Sequence, residues 1–142
     1  LVNWLWGFTT VGINVDKVRA ALGNLPMPDN VWDLVFKPEY ISRLRSCGVS
    51  FLDSATEVVP AALHYLGKPP FSKNPADYPA AAALLKSVRQ HVTLFSSSGY
   101  INDLASGSIC VSVEENDFHR PRQFAFFLRI PNEGQNPAVI LV

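Results

Sequence analysis

Strand-like and helix-like segments alternate along this chain, and glycine or proline marks nearly every change of pattern. That alternation is the strongest constraint on the fold. A strand buries a face and a helix buries a stripe, so alternating elements pack as a sheet covered by helices. The expected class is α/β, a mostly parallel sheet flanked by helices, in one lobe over residues 1–142.

The segments can be named. Residues 1–14 are rich in aromatic and β-branched side chains and read as extended. Asp16 to Leu22 reads as a short helix stopped at Gly23. Asp29 is placed to cap a helical turn through Trp32 and Phe36, and Pro38 opens a helix ending near Arg45. Val49 to Leu52 is a strand. Ser54-Ala55-Thr56-Glu57 is a capping-box pattern, followed by Val59, Leu63 and Leu66 on one helical face and a stop at Gly67. Pro60 demands that this helix start late or bend. Lys68 to Asp77 reads as a surface loop. Pro79 to Gln90 is a helix with Leu84, Leu85 and Val88 facing inward, and Tyr100 to Ala105 is a shorter one. Ile109 to Val113, Phe124 to Ile130 and Ala138 to Val142 have strand patterns.

Composition narrows the function. Twelve basic residues balance twelve acidic ones, and only 17% of residues are charged. Such a chain lacks the basic surface that nucleic acid requires. At 48% apolar it is not a disordered tail. No apolar run reaches the ~20 residues of a membrane helix. The chain begins without Met or a basic leader and ends on Val-Ile-Leu-Val, so the expectation is a piece of a longer polypeptide. An apolar terminal strand also makes a homodimer through that edge conceivable.

No strong catalytic motif is present: there is no G-x-S-x-G, P-loop or G-x-G-x-x-G. Asp117 and His119 suggest a hydrolase pair only weakly, because no nucleophile accompanies them. His64, His91 and His119 are scattered and no C-x-x-C exists, so no metal or cofactor is expected. His64 reads as a partly exposed filler. Cys47 and Cys110 are two buried thiols or one disulfide. Ser96-Ser97-Ser98-Gly99 reads as a plain turn and cap ahead of a helix rather than an anion cradle. Glu57 has two roles open to it, the reciprocal residue of its capping box or a ligand-holding carboxylate at a helix start. Glu114, Glu115 and Asp117 follow a strand; a solvated loop is the simpler reading and a cation site the sharper one. An ammonium there would want aromatic neighbours, which Trp4, Trp6 and Phe118 could supply.

Four stretches carry a family resemblance. Trp6-Gly7-Phe8-Thr9-Thr10-Val11-Gly12-Ile13-Asn14-Val15-Asp16-Lys17-Val18 resembles the W-G-T-T-G-I-G-Y-N-x-x-K-V segment of the periplasmic polyamine-binding proteins of ABC transporters. Trp32 to Glu39 matches their W-D-L-V-F-K-P-E, Ser46 to Asp53 their S-C-G-V-S-F-L-D, and Tyr100 to Val111 their Y-I-N-D-L-A-N-G-D-I-C-V. The resemblance covers about residues 4–113 and implies a periplasmic-binding-protein-like lobe, the second of two that close on a ligand. It implies a strand of about residues 1–14 crossing from the first lobe, a disulfide between Cys47 and Cys110, and a periplasmic location. It implies no enzyme activity. Its partners would be a polyamine (putrescine or spermidine), the missing first lobe and the ABC permease.

The resemblance also makes Glu57, ten residues on from Cys47, a holder of a ligand ammonium. The family continues after the second cysteine with G-W-x-G-D, whose Trp and Asp line the ligand. Here Glu115 falls on the Trp and Phe118 on the Asp, and a one-residue slip would put Asp117 there. The expected ligand set is therefore Glu57, Glu115, Asp117 and Phe118, with residues 114–142 as a divergent tail. The alternative is a lobe that has lost the polyamine site and serves as a structural or interaction module.

Overall fold

The computed structural model describes residues 7–117 and 139–141. Strand β1 (Gly7–Asn14) leads into helix α1 (Val15–Leu22). Helices α2 (Asp33–Phe36) and α3 (Pro38–Leu44) precede strand β2 (Val49–Phe51). Helix α4 (Ala55–Tyr65) and helix α5 (Tyr78–Arg89) are followed by the short strand β3 (Leu94–Phe95). Helix α6 (Tyr100–Ser106), strand β4 (Val111–Asp117) and strand β5 (Val139–Leu141) complete the described chain.

The five strands form one sheet in the order β3-β2-β4-β1-β5. The α/β expectation holds, but the sheet is mixed. β2 runs parallel to β3 and β4, whereas β1 runs antiparallel to both β4 and β5. An antiparallel β1 could not be foreseen, because strand direction depends on where the chain returns and not on local pattern.

Register and the two-residue period sort the side chains. Val11 lies opposite Val113 and Ile13 opposite Val111, and Val49 pairs with Val111 in turn. These residues are buried together with Val18, Leu22, Leu34, Phe36, Ile41, Leu44, Leu63 and Val88 of the helices. The other face carries Thr10, Asn14, Ser50, Ser112 and Glu114, all buried, by the same alternation. There Asn14 caps α1 by accepting from Lys17 N at 3.3 Å and donates Nδ2–H to Leu104 O of α6 at 2.9 Å. One side chain thus joins β1, α1 and α6.

The Cys47–Cys110 disulfide is formed, with Cα atoms 5.5 Å apart. It ties the end of α3 to the entry of β4. Gly48 sits beside it at φ +95°, and an added Cβ would lie 3.0 Å from Ser108 O. The sequence S-C-G is thus dictated by a close backbone approach as well as by the bond.

Several local expectations are corrected. Asp29 caps nothing that is described; Asn30 Oδ1 accepts from Trp32 N instead, and α2 begins at Asp33 without a side-chain cap. Ser54 makes no cap bond, since its hydroxyl pairs with Thr56 Oγ1 at 2.9 Å. α4 nevertheless starts at Ala55 and contains Pro60. It ends as Gly67 predicts: Gly67 N donates to His64 O and Lys68 N to Leu63 O, the pattern that closes a helix on a left-handed glycine. Its buried face is Val58, Ala62 and Leu63 rather than Val59, Leu63 and Leu66, and Leu66 is exposed. On α5 the fully buried residues are Ala81 and Val88, with Leu84 and Leu85 packed at the core's margin. The strand pattern at Phe124 to Ile130 lies outside the described residues, as does His119.

Strand β4 runs four residues further than its sequence pattern, to Asp117. The acidic run is therefore strand and not loop. Glu114 is 1% exposed, its Oε2 has no hydrogen-bond partner among the described residues, and burial pushes its pKa up to about 8. The folded chain holds this proton above pH 4.5, where an unfolded glutamate releases it. Stability is then fully present below about pH 4.5 and falls as pH rises toward 8, by up to about 1.4 kcal/mol per pH unit. Urea unfolding across that range should show this slope, and Glu114→Gln should flatten it. A second expectation concerns the disulfide, whose cysteines are 63 positions apart. Reduction should lower unfolding stability by about 4 kcal/mol if chain entropy dominates; paired urea curves with and without reductant measure it.

Candidate functional site

The face of β1 and β4 that carries Val11 and Val113 continues past the core. The next pair outward is Thr9 opposite Glu115. Beyond the last apolar pair the sheet is no longer roofed by the core, and a cleft of about 700 Å³ opens there. Thr9 and Glu115 line its sheet side, and Phe8 stands at its edge, 41% exposed.

The facing wall is α4. Glu57, Pro60, Ala61 and His64 all line the cleft, at the i, i+3, i+4, i+7 spacing of one helical stripe. The core takes the other stripe, through Val58, Ala62 and Leu63. This division decides where Glu57 lies. The Ser54 half of the capping box is not formed, and Glu57 is half-buried on the cleft stripe. His64, read from sequence as a filler, is a cleft residue.

Aromatic groups complete the walls. Trp32 and Tyr65 both line the cleft, and both rest on the buried Phe36. Trp32 stacks on Phe36 with centroids 5.5 Å apart, and Tyr65 lies 5.0 Å from it on another side. Phe71, 80% exposed, stands at the mouth. Its loop is braced: Ser72 donates to Asp77 at 2.5 Å, Lys68 reaches Asp77 at 3.3 Å, and Tyr78 Oη donates to Ser72 O at 2.7 Å. The Ser72 hydrogen bond, with help from Lys68, holds the Asp77 carboxyl below its ordinary value.

Beneath the aromatic wall lies Asp33. Tyr65 Oη donates to its Oδ1 at 2.7 Å, and Lys37 Nζ donates to its Oδ2 at 2.7 Å. Burial would raise the Asp33 pKa, but the hydrogen bonds from Lys37 and Tyr65 outweigh it and leave the carboxyl below its ordinary value. Burial and Asp33 together push the Tyr65 phenol well up.

Of the expected ligand set, the structure brings Glu57 and Glu115 into one cleft. Asp117 ends β4 opposite Gly7, and Phe118, Trp4 and Trp6 lie outside the described residues. The aromatic partners found here are Phe8, Trp32, Tyr65 and Phe71. Sequence reading missed them as a group because they come from four separate segments. Among the described residues no cluster of His, Cys, Asp and Glu is arranged to hold a metal ion, and no helix is long and apolar enough to cross a membrane. Two carboxylates among aromatic faces have the chemistry that an organic cation asks of a site. The carboxylates offset its desolvation, and the rings cover its methylenes and attract its charge.

The fold defines the class: a lobe of the periplasmic-binding-protein type. It superposes on the spermidine/putrescine ABC transporter substrate-binding protein PotD of Streptococcus pneumoniae with a TM-score of 0.61 at 18% identity, over 81% of this chain and 32% of that one. No family model matches the chain. In sequence it is homologous to the polyamine-binding periplasmic proteins. It is 54% identical over 112 residues to the putrescine-binding periplasmic protein SpuD of Pseudomonas aeruginosa, covering 79% of this chain and 30% of that protein. It is 51% identical over 112 residues to the putrescine-binding periplasmic protein PotF of Escherichia coli, covering 78% and 30%. The chain thus spans about 30% of the length of these relatives.

The shielded phenol is open to measurement. In alkaline difference spectroscopy Tyr65 should ionise at higher pH than an ordinary phenol. Tyr65→Phe should remove the last part of the absorbance rise, and a loss from the ordinary phenol range instead would contradict the Tyr65–Asp33 bond.

Proposed function

We propose that this chain is the ligand-binding lobe of a periplasmic, non-enzymatic solute-binding protein that delivers a polyamine to an ABC permease. The observation that carries the reading is the pairing of Glu57 with Glu115 across a cleft walled by Trp32, Tyr65 and Phe71. An extended diamine has two charges separated by apolar methylenes. Such a ligand asks for carboxylates and for aromatic surface, and both line this cleft.

Glu57 is the first anchor, and its place on the α4 stripe supports that role. Glu115 is a second carboxylate at a position where the related proteins' pattern has a Trp. Asp117, at the end of the same strand, remains a candidate for the ligand set, together with Phe118. A second lobe closing over the cleft would supply the opposite contacts and the surface that the permease reads. The homology to putrescine-binding proteins of about three times this length supports that arrangement. Pairing of two copies through a terminal strand rests on β5 alone, which forms one edge of the sheet.

Titration calorimetry with putrescine, and then spermidine, tests the reading. The chain alone should bind weakly, because half of a closing cleft leaves much of the ligand in water. Glu57→Gln should weaken putrescine binding roughly tenfold or more, as expected for a hydrogen bond to a charged group. Glu115→Gln should weaken it by a smaller factor, since that residue is exposed. Absence of heat with either amine at millimolar concentration would instead leave the lobe as a structural or interaction module.

A further inference from the structure

The carboxylate of Asp33 does not line the cleft, yet it is the polar group that one of the cleft's aromatic walls is fastened to. Its Oδ1 accepts from Tyr65 Oη at 2.7 Å, across 32 positions of sequence and between α2 and the end of α4. Its Oδ2 is held by Lys37 one turn along, at 2.7 Å. Asp33 is thereby fixed from both oxygens. Its chain neighbour Trp32 supplies the other ring, and both rings lean on Phe36, itself set edge-on against Phe51 at 6.3 Å. Without the Asp33 bond, the Tyr65 ring would keep its apolar seat on Phe36 and lose the contact that sets its tilt.

We propose that Asp33 is a positioning residue for amine binding: clamped by Lys37, it holds the Tyr65 ring at the angle at which it borders the cleft beside Trp32. This rests on the polyamine reading above, because it assigns Asp33 a part in presenting an aromatic face to an ammonium or its methylenes. A phenol that donates to a carboxylate stays protonated, and the partial charge it gains makes the ring face more attractive to a cation. The motif Trp32-Asp33-Leu34-Val35-Phe36-Lys37 then has one local logic. Trp32 is wall, Phe36 is the seat for both rings, and Asp33 with Lys37 is the brace.

The experiment is a double-mutant cycle on the whole chain, reading putrescine affinity by calorimetry and stability by urea unfolding. Asp33→Ala and Tyr65→Phe should each weaken putrescine binding by roughly three- to tenfold, the share of a single hydrogen bond. The double variant should be no weaker than the weaker single one, because both remove the same bond. Asp33→Asn keeps an oxygen for the Tyr65 hydroxyl and should recover most of the affinity lost in Asp33→Ala. Lys37→Met checks the other route, in which a Lys37 ammonium freed from Asp33 simply repels the diamine. Combined with Asp33→Ala, it should leave the affinity of Asp33→Ala unchanged.

Three results would overturn the proposal while the polyamine reading stands: Asp33→Ala binding as tightly as the parent chain, losses that add in the double variant, or affinity restored by Lys37→Met. A merely structural Asp33 would lower the urea midpoint and leave the affinity of the folded fraction unmoved. A parent chain that gives no heat with putrescine overturns the polyamine reading and this proposal with it.

Discussion

The antiparallel ladder between β1 and β4 is the contact on which the rest of this structure depends. It runs from Gly7 opposite Asp117 to Ile13 opposite Val111, and one residue of slip would exchange its two faces. In the register observed, Val11, Ile13, Val111 and Val113 form the floor of the core. The same register sends Glu114 to the opposite, buried face and Glu115 to the cleft. Two adjacent glutamates therefore meet opposite environments. One is desolvated and its ionisation is suppressed; the other is exposed and lines the cleft that Glu57 also lines.

Helix α4 repeats that economy in helical form. Its core stripe holds it against the sheet through Val58, Ala62 and Leu63. Its cleft stripe carries Glu57 and His64. The glycine-closed end at Gly67 turns the chain into the braced loop that brings Phe71 to the mouth. Tyr65, at the last turn, belongs to both stripes: its ring packs on Phe36 and also lines the cleft. A wall built this way is anchored by the core itself, so the cleft's lining and the core's packing share a helix and the Tyr65 ring. The disulfide adds a distant constraint by joining the ends of the connections into β2 and β4.

Much of this was legible from local chemistry. Glycines at 23, 67 and 107 and prolines at 38 and 79 marked helix ends correctly, because their backbone limits act without tertiary help. Glu57 stood out by resemblance, and it lies on the cleft stripe of α4. What misled were the signals that need a partner. Ser54 found Thr56 rather than the helix end, Asp29 found no helix to cap, and polarity at Glu114 to Asp117 suggested a loop. A strand can carry those residues only because β1 supplies a complete ladder for its backbone, and a window of sequence cannot see that.

The sequence by itself determined most of the element types, the alternation that makes an α/β lobe, the helix stops and, through the family resemblance, the pairing of its two cysteines. Those follow from backbone limits, side-chain period and motif, all of them local or linear properties. Tertiary structure alone decided that β1 runs antiparallel inside the sheet, that Glu114 is buried while Glu115 lines the cleft, and that Trp32, Tyr65 and Phe71 line the same cleft as Glu57. The reason is physical: burial, strand direction and ring-to-ring contact depend on which distant segment arrives, and the chain discovers that only when the core closes.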